Sequence, residues 1–258
     1  MTPQPEIPGS VPPPLPASVP PQAEKVSEVE RLTGVFFAPA KAFADIARRP
    51  RWWIPVIILG IVSTIFLNAY SQRVGWERVV RQAIEQSSRA DSMSAQQREQ
   101  AIAVGANVAR FVGYGGAVVN SVIAIFIVAV VMLFMANNLM GAEIRLGSMM
   151  GIVSYAFLPQ VLVVALSMLV MYLKPPDDFD LRNPLLFNAG ALMPSDSPQW
   201  EKGLGSSFDL FSFWIIGLIA AGISAAAPKI KFGKALMGVL FPWALYVALK
   251  TAYLAAFG

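Results

Sequence analysis

Five stretches of this chain run without a charged residue for long enough to cross a lipid bilayer, and nothing else in the sequence constrains its fold as tightly. Arg51 and Arg73 enclose 21 uncharged residues, Arg110 and Glu143 enclose 32, Arg145 and Lys174 enclose 28, and Asp209 and Lys229 enclose 19. The tail beyond Lys234 carries one charge, Lys250. A hydrocarbon core of about 30 Å needs about 20 predominantly apolar residues in helical form. Backbone inside lipid must satisfy its own hydrogen bonds, which leaves helices or closed barrels. These runs are too long for barrel strands and lack period-two alternation. The expected fold class is all-α: a polytopic membrane protein with a five-transmembrane-helix bundle. Its spans fall at about 52–70, 114–139, 149–173, 209–227 and 235–257.

Composition sets the limits of function. Of 258 residues, 55% are hydrophobic and 14% charged, against about 25% charged in soluble domains. One membrane domain, 31–258, is therefore expected behind a tail, 1–30. The net charge is +4, but the cations flank the apolar runs instead of forming a basic stripe. That placement suits lipid headgroups and insertion topology, so the expected partner is the bilayer and not nucleic acid. Cysteine and histidine are absent, which excludes disulfides, thiolate nucleophiles, Cys or His metal sites and Ser–His dyads. No cofactor is implied. Nothing before Trp52 forms a basic end followed by an apolar h-region, so the first span is expected to act as the insertion signal.

The tail up to about Gln22 is a proline tract, from Pro3 to Pro21, favouring solvated polyproline II. Pro13-Pro14-Leu15-Pro16 fits the minimal PxxP pattern, so the tail reads either as a spacer or as a contact for protein partners. Mixed-charge residues Glu24 to Arg31 follow. Pro39 then suits the first turn of a helix that Pro50 ends. On that N-terminal amphipathic helix Phe36, Phe43 and Ile46 share one face, and Lys41, Asp45, Arg48 and Arg49 another. Phenylalanines below and cations above suit the membrane interface. The predicted membrane-interface set is Phe36, Phe43, Ile46, Lys41, Arg48, Arg49 and the pair Trp52 and Trp53, which opens the first span. Phe36, Phe43 and Ile46 should bury in headgroups or against the bundle.

Between the first two spans, Ser94-Ala95-Gln96-Gln97 is a capping-box pattern. The spacing predicts a helical hairpin in 71–110 whose second helix runs on into the second span. Small or polar residues open the second and fourth spans. Gly113, Gly116, Asn120, Gly217, Gly222 and Ser224 are the predicted helix-packing set, since small residues let helices approach and Asn or Ser hydrogen-bond across. The Pro228–Lys234 link holds three lysines and no acid. Because short loops follow the positive-inside rule best, it places the N-terminus in the cytoplasm and the C-terminus outside. The Ser71–Arg110 loop argues the other way with six arginines, but it is long and carries four acids. Localisation follows as a multi-pass protein of the inner (cytoplasmic) membrane.

In this order, several short motifs resemble a bacterial member of the Yip1 domain family from about Leu32 onward. They are Val35-Phe36-Phe37-Ala38-Pro39-Ala40-Lys41-Ala42-Phe43 before a Trp-rich helix start, Gly141 followed by Tyr155-Ala156-Phe157-Leu158-Pro159, and Lys234-Ala235-Leu236. The resemblance implies five membrane helices, a cytoplasmic N-terminus and a non-enzymatic role. The acidic-Leu-Tyr and Gly-Pro signature of eukaryotic members does not appear, so binding of Rab-type GTPases is not carried over.

Three functional classes stay in view. The first is a non-enzymatic scaffold that organises membrane or binds partners, alone or as a homo-oligomer. The second is a small oligomeric transporter or channel, suggested by Pro159 and Pro242 within spans and by Asn120, Asn137 and Asn138. It requires a polar cavity at mid-membrane. The third is an enzyme or cation site at Asp177, Asp178 and Asp180, whose spacing is not that of an EF-hand.

Overall fold

In the computed structural model, the described residues are 26–85, 87, 92–176, 179, 184–194 and 197–257, with Ala117 and Val118 described by backbone alone. The proline arm, with its PxxP motif, lies outside them, as do Asp177, Asp178 and Asp180. Within the described residues the chain is all-helical, with one isolated bridge between Asn188 and Asp209.

Helix α1 (Glu28–Phe37) starts on a capping box: the Ser27 hydroxyl accepts from the Glu30 N–H, and the Glu30 carboxylate accepts from the Ser27 N–H. That reciprocal pair satisfies two orphan donors, so the helix begins inside the stretch assigned to the tail. The Ser27 N–H and then its hydroxyl hold the Glu30 carboxyl below its usual range. A single residue, Ala38, separates α1 from α2 (Pro39–Arg48), with Pro39 in the first turn as expected.

Among the described residues, four helical stretches are long and apolar enough to cross a membrane: Trp53–Arg73, Val119–Leu139, Leu146–Leu173 and Phe232–Phe257. The first is α3 (Trp53–Arg73). Gly75, at φ 85, makes the reversal into α4 (Trp76–Glu85), a backbone setting that favours glycine. Helix α5 (Ala95–Phe134) is 40 residues long and starts on the Ser94–Gln97 capping box, so the hairpin helix and the second span are one rod. It ends in a π-helical turn, Met135–Leu139, and Gly141 at φ 73 turns the chain. Asn137 closes that turn, its amide donating to the Ile144 carbonyl (2.9 Å) and its oxygen accepting from the Ile144 N–H (3.0 Å).

The expected continuous third span is broken in two, α6 (Leu146–Ala156) and α7 (Pro159–Leu173). Pro159 has no N–H to continue the ladder and its ring opposes the preceding turn, so the helix stops and restarts with proline at its N-terminus. Helix α8 (Gln199–Gly205) lies in the loop before α9 (Leu210–Ala226). The fourth expected span is thus a 17-residue helix, shorter than the other four. It is apolar all round and packs against α2, α6, α7 and α10, which is why it fills the centre. Helix α10 (Phe232–Phe257) carries Pro242 inside it.

The core joins Phe43, Ile46, Ile152, Tyr155, Ile219 and Ile223. A second, smaller cluster of Tyr70, Val74, Met171 and Phe179 ties α3 to α7. There the Arg73 guanidinium donates to the carbonyls of Met171 (2.8 Å) and Tyr172 (3.0 Å), supplying the end of α7 with donors and a cation.

Two glycines of α9 predict opposite outcomes. A Cβ on Gly222 would sit 2.3 Å from Ile152 Cγ2 and 3.2 Å from Phe43, whereas one on Gly217 would meet nothing within 4 Å. Gly222→Ala should destabilise the purified protein by about 1–3 kcal/mol through overpacking. Gly217→Ala should stay within about 0.5 kcal/mol of the parent. Thermal melts in one detergent check both, and equal losses would contradict this packing.

Candidate functional site

A face of opposite charges forms where the α1–α2 hairpin meets the bundle. Arg31 and Asp45 lie fourteen residues apart, and the one-residue link at Ala38 folds their helices side by side. Arg31 is 3% exposed. Its guanidinium grips the Asp45 carboxylate with Nε at 2.7 Å and Nη2 at 2.5 Å. Nη1 donates to Glu28 at 3.3 Å and to the Arg49 carbonyl at 3.2 Å. Glu28 also pairs with Arg51 at 3.3 Å and accepts the phenolic hydrogen of Tyr155. One polar knot therefore joins α1, α2, the start of α3 and α6.

Burial differs across this knot, with Arg31 and Asp45 largely enclosed and Arg51 mostly exposed. Tyr155 is fully buried and lies roughly 14 Å along α6 from Leu146, at 1.5 Å per residue. An isolated charge so enclosed is strongly disfavoured, so Arg31 and Asp45 must arrive as matched partners. Apolar packing completes the dock. Phe43 and Ile46 are both 0% exposed, and Gly151 of α6 lets Ile46 and Pro50 approach closely. The Ser148 hydroxyl donates to the Ala47 carbonyl at 2.7 Å.

The expected interface residues divide between two surroundings. Phe43 and Ile46 bury against α6 and α9, and Phe36 rests edge-on against Trp214 with ring centroids 5.7 Å apart. Lys41, Arg48 and Arg49 point outward, Trp52 is half-buried and Trp53 is exposed. Phe37, which the face assignment had passed over, is 87% exposed. At the same end of the bundle Lys229 pairs with Glu143 (3.4 Å) and Lys234 donates to the Met140 carbonyl (3.3 Å). A hollow of about 640 Å³ opens there between α2, α6 and α9, with Arg48, Glu143, Arg145 and Ser148 in its wall.

The packing set is equally mixed. Gly222 is a close-contact site, and Gly113 faces the Trp76 ring, where a Cβ would lie 2.7 Å from it. Gly116 has its own helix's Asn120 beside it, and Gly217 is open. Ser224 donates to the Ile230 carbonyl at 2.9 Å, fixing the link between α9 and α10. Asn120 and Asn138 are exposed, while Asn137 holds its turn. Among the described residues these three amides therefore have different surroundings.

Arg31, Asp45, Glu28 and Tyr155 escaped the sequence reading as a group. Asp45 was visible on a polar face and Tyr155 in a motif, but neither showed a partner. The usable signal was Ser27-x-x-Glu30, a capping box that starts α1 early enough to carry Glu28 and Arg31 to α2.

Comparison with known proteins adds a family. The Yip1 domain model matches residues 33–253. Membrane protein YknW of Bacillus subtilis (strain 168) is 24% identical over 199 residues, covering 76% of this chain and 78% of that protein. No solved structure matches.

Removing one partner of a buried pair strands the other. Arg31→Met should therefore loosen the hairpin by about 3–5 kcal/mol, read as faster trypsin cleavage within residues 41–51 and a lower melting temperature. The double variant Arg31→Met/Asp45→Leu should recover much of that loss, since it leaves fewer unpaired charges. A double variant as weak as the sum of the singles would show that the pair is not coupled.

Proposed function

The chain belongs to the Yip1 domain family, and from that membership we propose that it is a non-enzymatic membrane scaffold whose cytoplasmic face binds partners. In this reading α9, with its flanking residues 209–227, is a fifth crossing. The N-terminus is cytoplasmic, the protein sits in the inner (cytoplasmic) membrane, and the α1–α2 hairpin rides at the interface. The amphipathic α2 faces its cations to headgroups, and the proline-rich sequence ahead of the hairpin is a contact for protein partners or a second copy.

One observation carries the proposal. The hairpin presents two unlike surfaces: an inner one locked by the Arg31–Asp45 pair and Phe43, and an outer one bearing Lys41, Arg48, Arg49 and exposed Phe37. A cationic, partly aromatic outer face on a rigid base suits adhesion to anionic headgroups or to an acidic partner. Lys229, Lys231 and Lys234 belong to the same end, which fits cytoplasmic placement by the positive-inside rule. Catalytic chemistry has little support: the described carboxylates of the knot are matched to guanidiniums and a phenol, with no nucleophile beside a free base.

Two measurements test this. The chain has no cysteine, so Lys231→Cys gives one label site. It should react with an impermeant maleimide in inside-out vesicles and stay protected in intact cells; the reverse pattern would invert the topology. Reconstituted in phosphatidylethanolamine/phosphatidylglycerol vesicles, the full chain should give no saturable solute flux. Saturable flux would replace the scaffold with a transporter.

A further inference from the structure

Halfway along α10 the bundle is not closed. Val131 of α5, Phe157, Ile215 and Ile219 of α9, and Pro242 and Trp243 of α10 line an apolar cleft of about 390 Å³, within the usual range of ligand pockets. Its origin is local backbone. The third span breaks at Phe157–Pro159, and α10 runs on through Pro242 on the opposite wall. Each proline removes one ladder donor there. Ile127 and Tyr246 at the rim are exposed, so the mouth faces sideways between α5 and α10.

That height falls inside hydrocarbon. Helix α10 has 26 residues, about 39 Å at 1.5 Å per residue, with Pro242 about 15 Å from its start. A hydrocarbon slab of about 30 Å crossed by this helix contains its middle wherever the boundaries fall. The mouth therefore opens to lipid and not to water.

The cleft also has a polar end. A second hollow of about 240 Å³ shares Gln160 and Ser212 with the first and adds Asn188, Ser206 and Asp209. One oxygen of Asp209 accepts the N–H groups of Phe211 and Ser212, both at 2.9 Å. Among the described residues the Gln160 carboxamide has no hydrogen-bond partner. Gln160 is half-buried between the apolar cleft and this hollow, where a ligand head could hydrogen-bond its amide. Lys250 is held apart by the Gly203 carbonyl and the hydroxyls of Ser206 and Ser207. The polar end thus offers one carboxylate, with the amide of Gln160 and the hydroxyl of Ser212 able to donate or accept, and no lysine or arginine among its lining residues.

We infer that this groove binds one amphiphile drawn from the bilayer, with a single hydrocarbon chain along Val131, Ile215 and Pro242 and a hydrogen-donating, uncharged or ammonium head at Gln160, Ser212 and Asp209. An anionic head is disfavoured beside the Asp209 carboxylate. The assignment is independent of the scaffold reading, since it concerns a groove away from the hairpin.

The test uses the full chain in phosphatidylcholine vesicles and a diazirine-bearing analogue of N-palmitoylethanolamine as photo-crosslinker. Labelling should saturate and map to the α5, α9 and α10 segments around Val131, Ile215 and Trp243. Unlabelled N-palmitoylethanolamine or hexadecylamine should compete; palmitate should not. Gln160→Leu should raise the half-saturating concentration about three- to tenfold, the worth of one lost hydrogen bond. Val131→Trp, at an exposed rim position that the fold tolerates, should block labelling. Unsaturable label spread equally over the exposed α3 residues Ile57, Ile61 and Ile65 would overturn the site. Palmitate competing as well as the amine would overturn the head assignment. Chain-to-chain crosslinks in place of lipid adducts would show that a second copy fills the groove.

Discussion

The Arg31–Asp45 pair is the interaction on which the rest of the arrangement depends, because it decides whether the first two helices can join the bundle at all. Alone, α1 and α2 would each be short and marginal in water, since helix nucleation is costly. Bringing them against α6 and α9 buries Phe43, Ile46 and Val35 fully, worth about 1.5–3 kcal/mol for each large side chain. That burial is accessible only if the charges lying between the helices are neutralised in place. Arg31 achieves this with a planar fork that meets one carboxylate through two nitrogens and still reaches Glu28. Tyr155 then ties Glu28 to α6, so the hairpin's orientation follows from hydrogen-bond geometry and not from apolar contact alone.

The parts of this fold legible in the sequence are those set by local rules. Long uncharged runs mark the apolar helices because lipid excludes charge. Ser94-x-x-Gln97 marks the start of α5, and Pro39 the start of α2. Pairings over distance were not legible. Arg31 and Asp45 each sit in mixed-charge surroundings where a solvated face is the ordinary expectation, and only the one-residue hinge at Ala38 brings them together. The break at Phe157–Leu158 belongs to an intermediate case. Pro159 was visible, but transmembrane helices often continue through proline when neighbours re-satisfy the freed carbonyls. Here the chain restarts instead.

The same distinction separates the glycines. Gly222 and Gly217 stand five residues apart on one helix and look alike in a hydropathy profile. A turn and a half of helix puts them on different sides, so Gly222 meets Ile152 and Phe43 while Gly217 faces open space. Sequence identified small residues correctly as a means of close approach. Which of them uses that property depends on the partner helices, and at Gly222 these are α6, through Ile152, and α2, through Phe43, the latter a segment outside every uncharged run.

Placing α9 at the centre has a further consequence for how the molecule divides. With 17 residues it packs against α2, α6, α7 and α10. Around Gly222 and Ser224, close glycine contacts and the Ser224–Ile230 bond hold its neighbours. Further along, the proline break before α7 and Pro242 of α10 leave a cleft that side chains do not fill. Ile219 borders that cleft and, with Ile223 one turn away, also belongs to the closed core. A closely packed end and an open apolar middle are thus joined through a single buried helix.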